Sequence, residues 1–199
     1  RYIAVTGVQT CALPILIDAY CADARENGFE VIFIHPVSNF FRLGAISYND
    51  HQSNNPDPSA FEKLEQILTR ARDNGCRVMF WAWGDEARKW TPVGVDGGIN
   101  GKADRRLQRY IAARLGPIAG WSMGYGFDLS EWVNRTQLRS WQEYMHGHMG
   151  WQHLLSARAT ELKDPYNING YAIEDREIGD YYGPAYPDMD KIIEQLNAD

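Results

Sequence analysis

Short, mainly apolar runs alternate along this chain with longer amphipathic segments, and no two runs are joined by a hairpin signal. Glu30-Val31-Ile32-Phe33-Ile34-His35, residues 77–83 (Arg77 to Trp83), residues 119–124 (Ala119 to Gly124) and residues 153–158 (His153 to Arg158) have the length and composition of strands buried on both faces. Tyr171-Ala172-Ile173 is a weaker fifth. Helical segments separate them. Residues 16–27 read as a helix closed by Gly28, a usual residue just past a helix end. Asp57 caps the next, with Pro58 at its first position, a stripe of Phe61, Leu64, Ile67, Leu68 and Ala71, and a stop at Gly75. Residues 103–115 present Leu107, Tyr110, Ile111 and Leu115 on one face. Residues 136–148 form another helix, and a last one runs from about Pro187. Strands that never turn straight back must be joined by crossovers, which means parallel βαβ units.

Right-handed crossovers leave two main architectures, a closed barrel or an open doubly wound sheet. The open sheet usually carries a glycine fingerprint after its first strand, and this chain has none. Polar and aromatic residues gather instead after every strand, where a barrel assembles its site from several strand ends at once. The expectation is an α/β fold of the (β/α)8 TIM-barrel type. At 199 residues the chain is short of the roughly 250 that a complete barrel uses.

Composition excludes some partners. A net charge of −6 argues against a nucleic-acid surface, which would need a basic stripe. No stretch approaches the roughly 20 apolar residues of a membrane span. Cys11, Cys21 and Cys76 show neither CxxC spacing nor a disulfide framework. Residues 5–15, from Val5 to Ile15, resemble the in-frame translation of a common short-read sequencing adapter. Residues 1–15 are therefore expected to be foreign to the fold, and residues 16–199 to be a partial barrel catalytic domain.

The residues after the strands have the chemistry of a carbohydrate site. They are His35, then Trp83 with Asp85 and Glu86, then Tyr125 with Asp128 and Glu131, then Arg158, and finally Glu174 with Asp175. Glycosidic cleavage needs one carboxyl to protonate the leaving oxygen and a second to attack the anomeric carbon or activate water. Asp128 and Glu131 are the candidates for catalysis; the others are candidates for binding an oligosaccharide or polysaccharide. Each has a plainer reading. Asp128 can cap the following helix, Glu131 can supply a negative charge at its start, and Arg158 can pair with Asp175 or Glu174. His146, His148 and His153 read as solvated positions at a helix end rather than as metal ligands. Asn134-Arg135-Thr136 matches the glycosylation sequon, a weak signal at three residues.

The run from Asn55-Pro56-Asp57 through residues 81–86 (Trp81 to Glu86), then Gly98-Ile99-Asn100-Gly101, then residues 120–128 (Gly120 to Asp128) resembles bacterial apiosidase-like and cellulase-like glycoside hydrolase barrels. The resemblance places Trp121-Ser122-Met123-Gly124 at the fourth strand and makes the chain strands two to six of eight. It implies hydrolysis of plant-type or microbial polysaccharide by the parent, with no cofactor and no metal. Such barrels usually end their fourth strand in Asn-Glu, where this chain has Gly124-Tyr125. Their nucleophile typically ends strand seven, which this alignment puts beyond Asp199, so the chain alone is expected to be inactive. The alternative is a carbohydrate-binding barrel without hydrolysis.

Overall fold

Four parallel strands lie side by side in the order in which the chain makes them: β1 (Val31–Ile34), β2 (Arg77–Trp81), β3 (Trp121–Gly124) and β4 (Leu155–Ser156). The computed structural model describes residues 13–36, 39–44, 54–84, 90–127 and 129–156. Helices α1 (Leu13–Glu26), α2 (Pro58–Asp73), α3 (Lys102–Leu115) and α4 (Arg135–His148) alternate with the strands. Right-handed crossovers between adjacent strands leave every helix on one face. Accordingly α1 packs on α2, α2 on α3 and α3 on α4. A doubly wound sheet reverses its strand order at a switch point, and the described strands show no reversal. These are expected strands two to five; the weak strand at Tyr171-Ala172-Ile173 and the helix from Pro187 lie outside the described residues.

The register separates two faces. Phe80, Met123 and Leu155 stand in one row across β2, β3 and β4, all buried against the helices. Phe33, Met79 and Ser122 stand in the neighbouring row and are half-buried on the opposite face. On α2, Phe61, Leu64, Leu68 and Ala71 are buried, as the stripe predicts, and Ile67 is half-buried at its margin. Each large apolar side chain removed from water contributes about 1.5–3 kcal/mol. The Asp57 side chain accepts from the Ser59 amide at 2.8 Å and from the Leu43 amide at 2.7 Å, so it caps α2 and pins the preceding loop. Gly28 and Gly75 end their helices at φ 80° and 74°, where a side chain would be strained.

The structure corrects several expectations. β2 ends at Trp81, so Trp83 lies past the strand. α1 begins at Leu13, with Ile15 72% and Leu16 46% exposed in its first turn. The loop after β1 is rich in Asn, Ser and Pro, yet Phe40 and Phe41 within it are buried, their rings 5.4 Å from Phe61 and 5.7 Å from Trp83. Asn134, rather than Asp128, caps α4, in a capping box with Gln137. His153 is buried, not solvated. Its ring stacks on Trp121 at 3.8 Å, with Nδ1 3.2 Å from the Trp121 carbonyl and Nε2 2.8 Å from that of Gly116. Among the described residues, no helix is long and apolar enough to cross a membrane.

Candidate functional site

Beyond the C-terminal ends of β1, β2 and β3 the chain builds a cluster of rings. His35 follows β1, Trp81 ends β2, Phe127 follows β3, and Trp90 comes from the loop after β2. The His35 ring lies 4.9 Å from Phe127, 5.6 Å from Trp90 and 6.1 Å from Trp81. Trp81 and Phe127 meet edge to face at 3.4 Å. The backbone closes the cluster from behind. The Gly84 amide donates to the Trp90 carbonyl at 2.6 Å, and the Gly84 carbonyl accepts from the Phe127 amide at 3.0 Å.

Three glycines make room for three indoles. A Cβ on Gly124 would overlap the Trp81 ring, one on Gly84 would sit 2.7 Å from Trp90 Cβ, and one on Gly126 would sit 2.6 Å from Trp132 Cζ2. None of the three has a positive φ. Their role is close approach to a ring rather than backbone freedom. Gly124→Ala is expected to cost about 1–3 kcal/mol by displacing the Trp81 indole. Urea unfolding measures the cost, and a changed near-ultraviolet circular dichroism spectrum reports the moved ring.

A buried carboxyl holds two residues that neighbour this cluster in sequence, Trp83 and Tyr125. Asp104, in the first turn of α3, is 0% exposed. One oxygen accepts from Trp83 Nε1 at 2.9 Å; the other accepts from the Tyr125 hydroxyl at 2.6 Å and the Asn100 amide at 2.8 Å. Asn100 is held at φ 56°, a left-handed conformation that asparagine tolerates better than most residues. Its side chain donates to the Gln137 carbonyl at 2.6 Å and accepts from Gln108 at 3.2 Å, which ties α3 to the start of α4. Burial pushes the Asp104 carboxyl above the usual carboxylate range, and the bonds from Tyr125, Asn100, Trp83 and Gln108 oppose that shift. Burial, followed by the charge of Asp104, holds the Tyr125 phenol well above its ordinary value, so it stays protonated and donates.

The expected site residues thus fall in different places. His35 is at the mouth. Trp83 and Tyr125 are 1% and 0% exposed and face Asp104 instead of the mouth. Period-two alternation is the reason for Tyr125: it shares the helix-covered side with Met123, and its ring stacks on Trp141 at 4.8 Å. Glu131 is exposed, in a 3₁₀ turn of Leu129–Glu131 that precedes α4. Asp85, Glu86, Asp128, Arg158, Glu174 and Asp175 lie outside the described residues. Sequence reading misses Asp104, Trp81, Trp90 and Phe127. A signal for Asp104 does exist: it stands three and seven residues before Leu107 and Ile111, inside an apolar helical row. Among the described residues, no three His, Cys, Asp or Glu side chains are grouped to hold a metal ion.

No family model and no curated protein matches the sequence. Solved structures do match in fold. An exo-β-1,4-mannosidase from Opitutaceae bacterium strain TAV5 superposes with a TM-score of 0.54 at 14% identity, over 78% of this chain and 30% of that one. A glycoside hydrolase family 5 protein from Bacteroides vulgatus gives 0.51 at 12% identity, over 73% and 32%. A GH5_18 protein from Bifidobacterium longum subsp. infantis gives 0.51 at 10% identity, over 72% and 38%. The chain spans less than two fifths of the length of each. The chain has the (β/α)-barrel fold found in glycoside hydrolases, and its described residues form four consecutive strands of it.

Proposed function

We propose that this chain is the carbohydrate-facing section of a glycoside hydrolase barrel that acts on polysaccharide. The observation that carries the reading is the cluster of His35, Trp81, Trp90 and Phe127 beyond the strand ends, on a fold shared with glycoside hydrolases. Indole and phenyl faces suit the apolar C–H faces of pyranose rings, and an imidazole among them supplies a hydrogen bond to a hydroxyl. Hydrolysis requires two carboxyl groups across the bond. In this proposal the chain contributes one of them, Asp128 with Glu131 as its neighbour, and binds sugar without turning it over. Asp85, Glu86, Arg158, Glu174 and Asp175 are proposed to complete the sugar contacts.

One observation favours a carbohydrate-binding barrel without hydrolysis: the chain follows β3 with Tyr125, whose side chain is buried against Asp104 rather than presented at the strand end. The two readings separate on a barrel completed by the remaining strands, where turnover supports the enzyme and binding alone supports the second.

Titrating the chain with β-1,4-linked manno- and gluco-oligosaccharides, followed by tryptophan fluorescence, tests the shared part. Saturable binding is expected, and Trp81→Ala should weaken it about tenfold or more with little loss of fold. Equal affinity in Trp81→Ala and wild type would remove the ring cluster from the site.

A further inference from the structure

Two thiols that play no part in the strand-end site meet beneath the first helix. Cys21, on α1, is 0% exposed, and Cys76, in the turn between α2 and β2, is 2% exposed. The Cys76 thiol donates to the Cys21 carbonyl at 3.6 Å, which brings its sulfur to the residue that carries the other thiol. Both are free thiols. The neighbouring carboxylate is already engaged: Asp18 accepts from Asn74 Nδ2 at 2.7 Å and pairs with Arg70 at 3.4 Å. Among the described residues no third His, Cys, Asp or Glu is grouped with the pair to hold a metal ion. Two adjacent thiols joining elements 55 residues apart have one obvious covalent reaction, two-electron oxidation to a disulfide.

We infer that Cys21 and Cys76 form a disulfide when the chain folds in the presence of a small-molecule disulfide such as oxidised glutathione, and that this bond staples α1 to the turn leading into β2. One cysteine thiolate attacks a sulfur of oxidised glutathione, whose S–S bond breaks to release a glutathione thiolate. The second cysteine thiolate then attacks the protein sulfur of the mixed disulfide and releases the other glutathione. The two protons lost by the cysteines end on the two glutathione thiols, so one disulfide is reduced as one forms. Burial and the Cys76 thiol push the Cys21 thiol up to about 12, so the folded, reduced pair holds little thiolate and reacts slowly. The bond therefore forms while α1 is still undocked. Such a staple matters for α1, whose first turn exposes Ile15 and Leu16 and whose buried anchors are Ile17 and Cys21.

The test uses the full chain carrying Cys11→Ser, so that only the pair can react. The chain is refolded in reduced and oxidised glutathione with sucrose present to favour the folded state, and in parallel equilibrated in about 6 M guanidinium. Acid quenching, intact mass and a non-reducing peptide map then give the fraction in which the Cys21 and Cys76 peptides are linked. Constraining a loop of this length predicts an effective concentration about a thousandfold higher in the folding buffer than in guanidinium. A monomer lighter by two hydrogens should dominate there, with a raised melting temperature. Equal effective concentrations in the two buffers would overturn the inference, as would glutathione adducts dominating in the folding buffer. A linked species that melts below the reduced chain would do the same. Cys21→Ser with Cys11→Ser gives the reference for Cys76 alone, which should stop at the glutathione adduct.

Discussion

Asp104→Leu is expected to remove about 3–5 kcal/mol of stability, most of what a domain of this size usually has. The substitution leaves three donors, Trp83 Nε1, the Tyr125 hydroxyl and the Asn100 amide, buried against an apolar side chain. Each loses its acceptor where water does not replace it, since Asp104 is 0% exposed. Asp104→Asn keeps the shape and one carbonyl oxygen but turns an amide toward donors, so an intermediate loss is expected. Urea denaturation of the three proteins measures the order: wild type, then Asn, then Leu. A loss below about 1 kcal/mol in Asp104→Leu would show that the network is not holding the loops after β2 and β3. The pH dependence has a definite sign. The carboxyl of Asp104 is raised in the folded chain, so its contribution is full below the unfolded value of about 3.9 and is lost as pH rises through the folded one. The wild type's margin over Asp104→Asn should therefore shrink as pH rises from about 4.

In a barrel completed by its remaining strands, Asp128→Asn is expected to lower turnover by about 10²–10⁴, the usual cost of losing a general acid or base. The proposal rests on position. Phe127, the residue before Asp128, is part of the ring cluster, whereas Glu131 lies exposed in the turn that precedes α4. Glu131→Gln should leave turnover within a few-fold of wild type. Asn134 caps α4, so neither substitution removes that cap, and urea unfolding of both variants separates any loss of stability from a loss of turnover. The decisive pattern is a loss confined to Asp128→Asn. A loss confined to Glu131→Gln would reverse the roles, and none in either would move the acid/base to another strand end.

The fold was legible because its signals are local. The first four apolar runs, the Asp57–Pro58 helix start and the glycines at 28 and 75 each act within a few residues; strands lie within all four runs, and the helix start and both glycines are found where expected. The site was less legible because its contacts cross the fold. Asp104 meets Trp83 and Tyr125 at separations of 21 residues, and nothing adjacent to any of them announces the meeting. Alternation could have warned that Tyr125 follows Met123 onto the helix side. It could not have fixed Trp83, because the strand stops at Trp81 and the backbone leaves its pleat. His153 illustrates a different failure. A polar residue before a short strand looks solvated, yet the Trp121 ring and two carbonyl oxygens enclose it.

The most direct measurement is a crystal structure of the chain grown with a β-1,4-linked oligosaccharide. A pyranose ring should lie against the indole of Trp81 within reach of His35, Trp90 and Phe127, with Trp83 and Tyr125 still closed over Asp104. Sugar bound only at the opposite end of the strands, or density that touches none of those four rings, would contradict a carbohydrate site at the C-terminal strand ends.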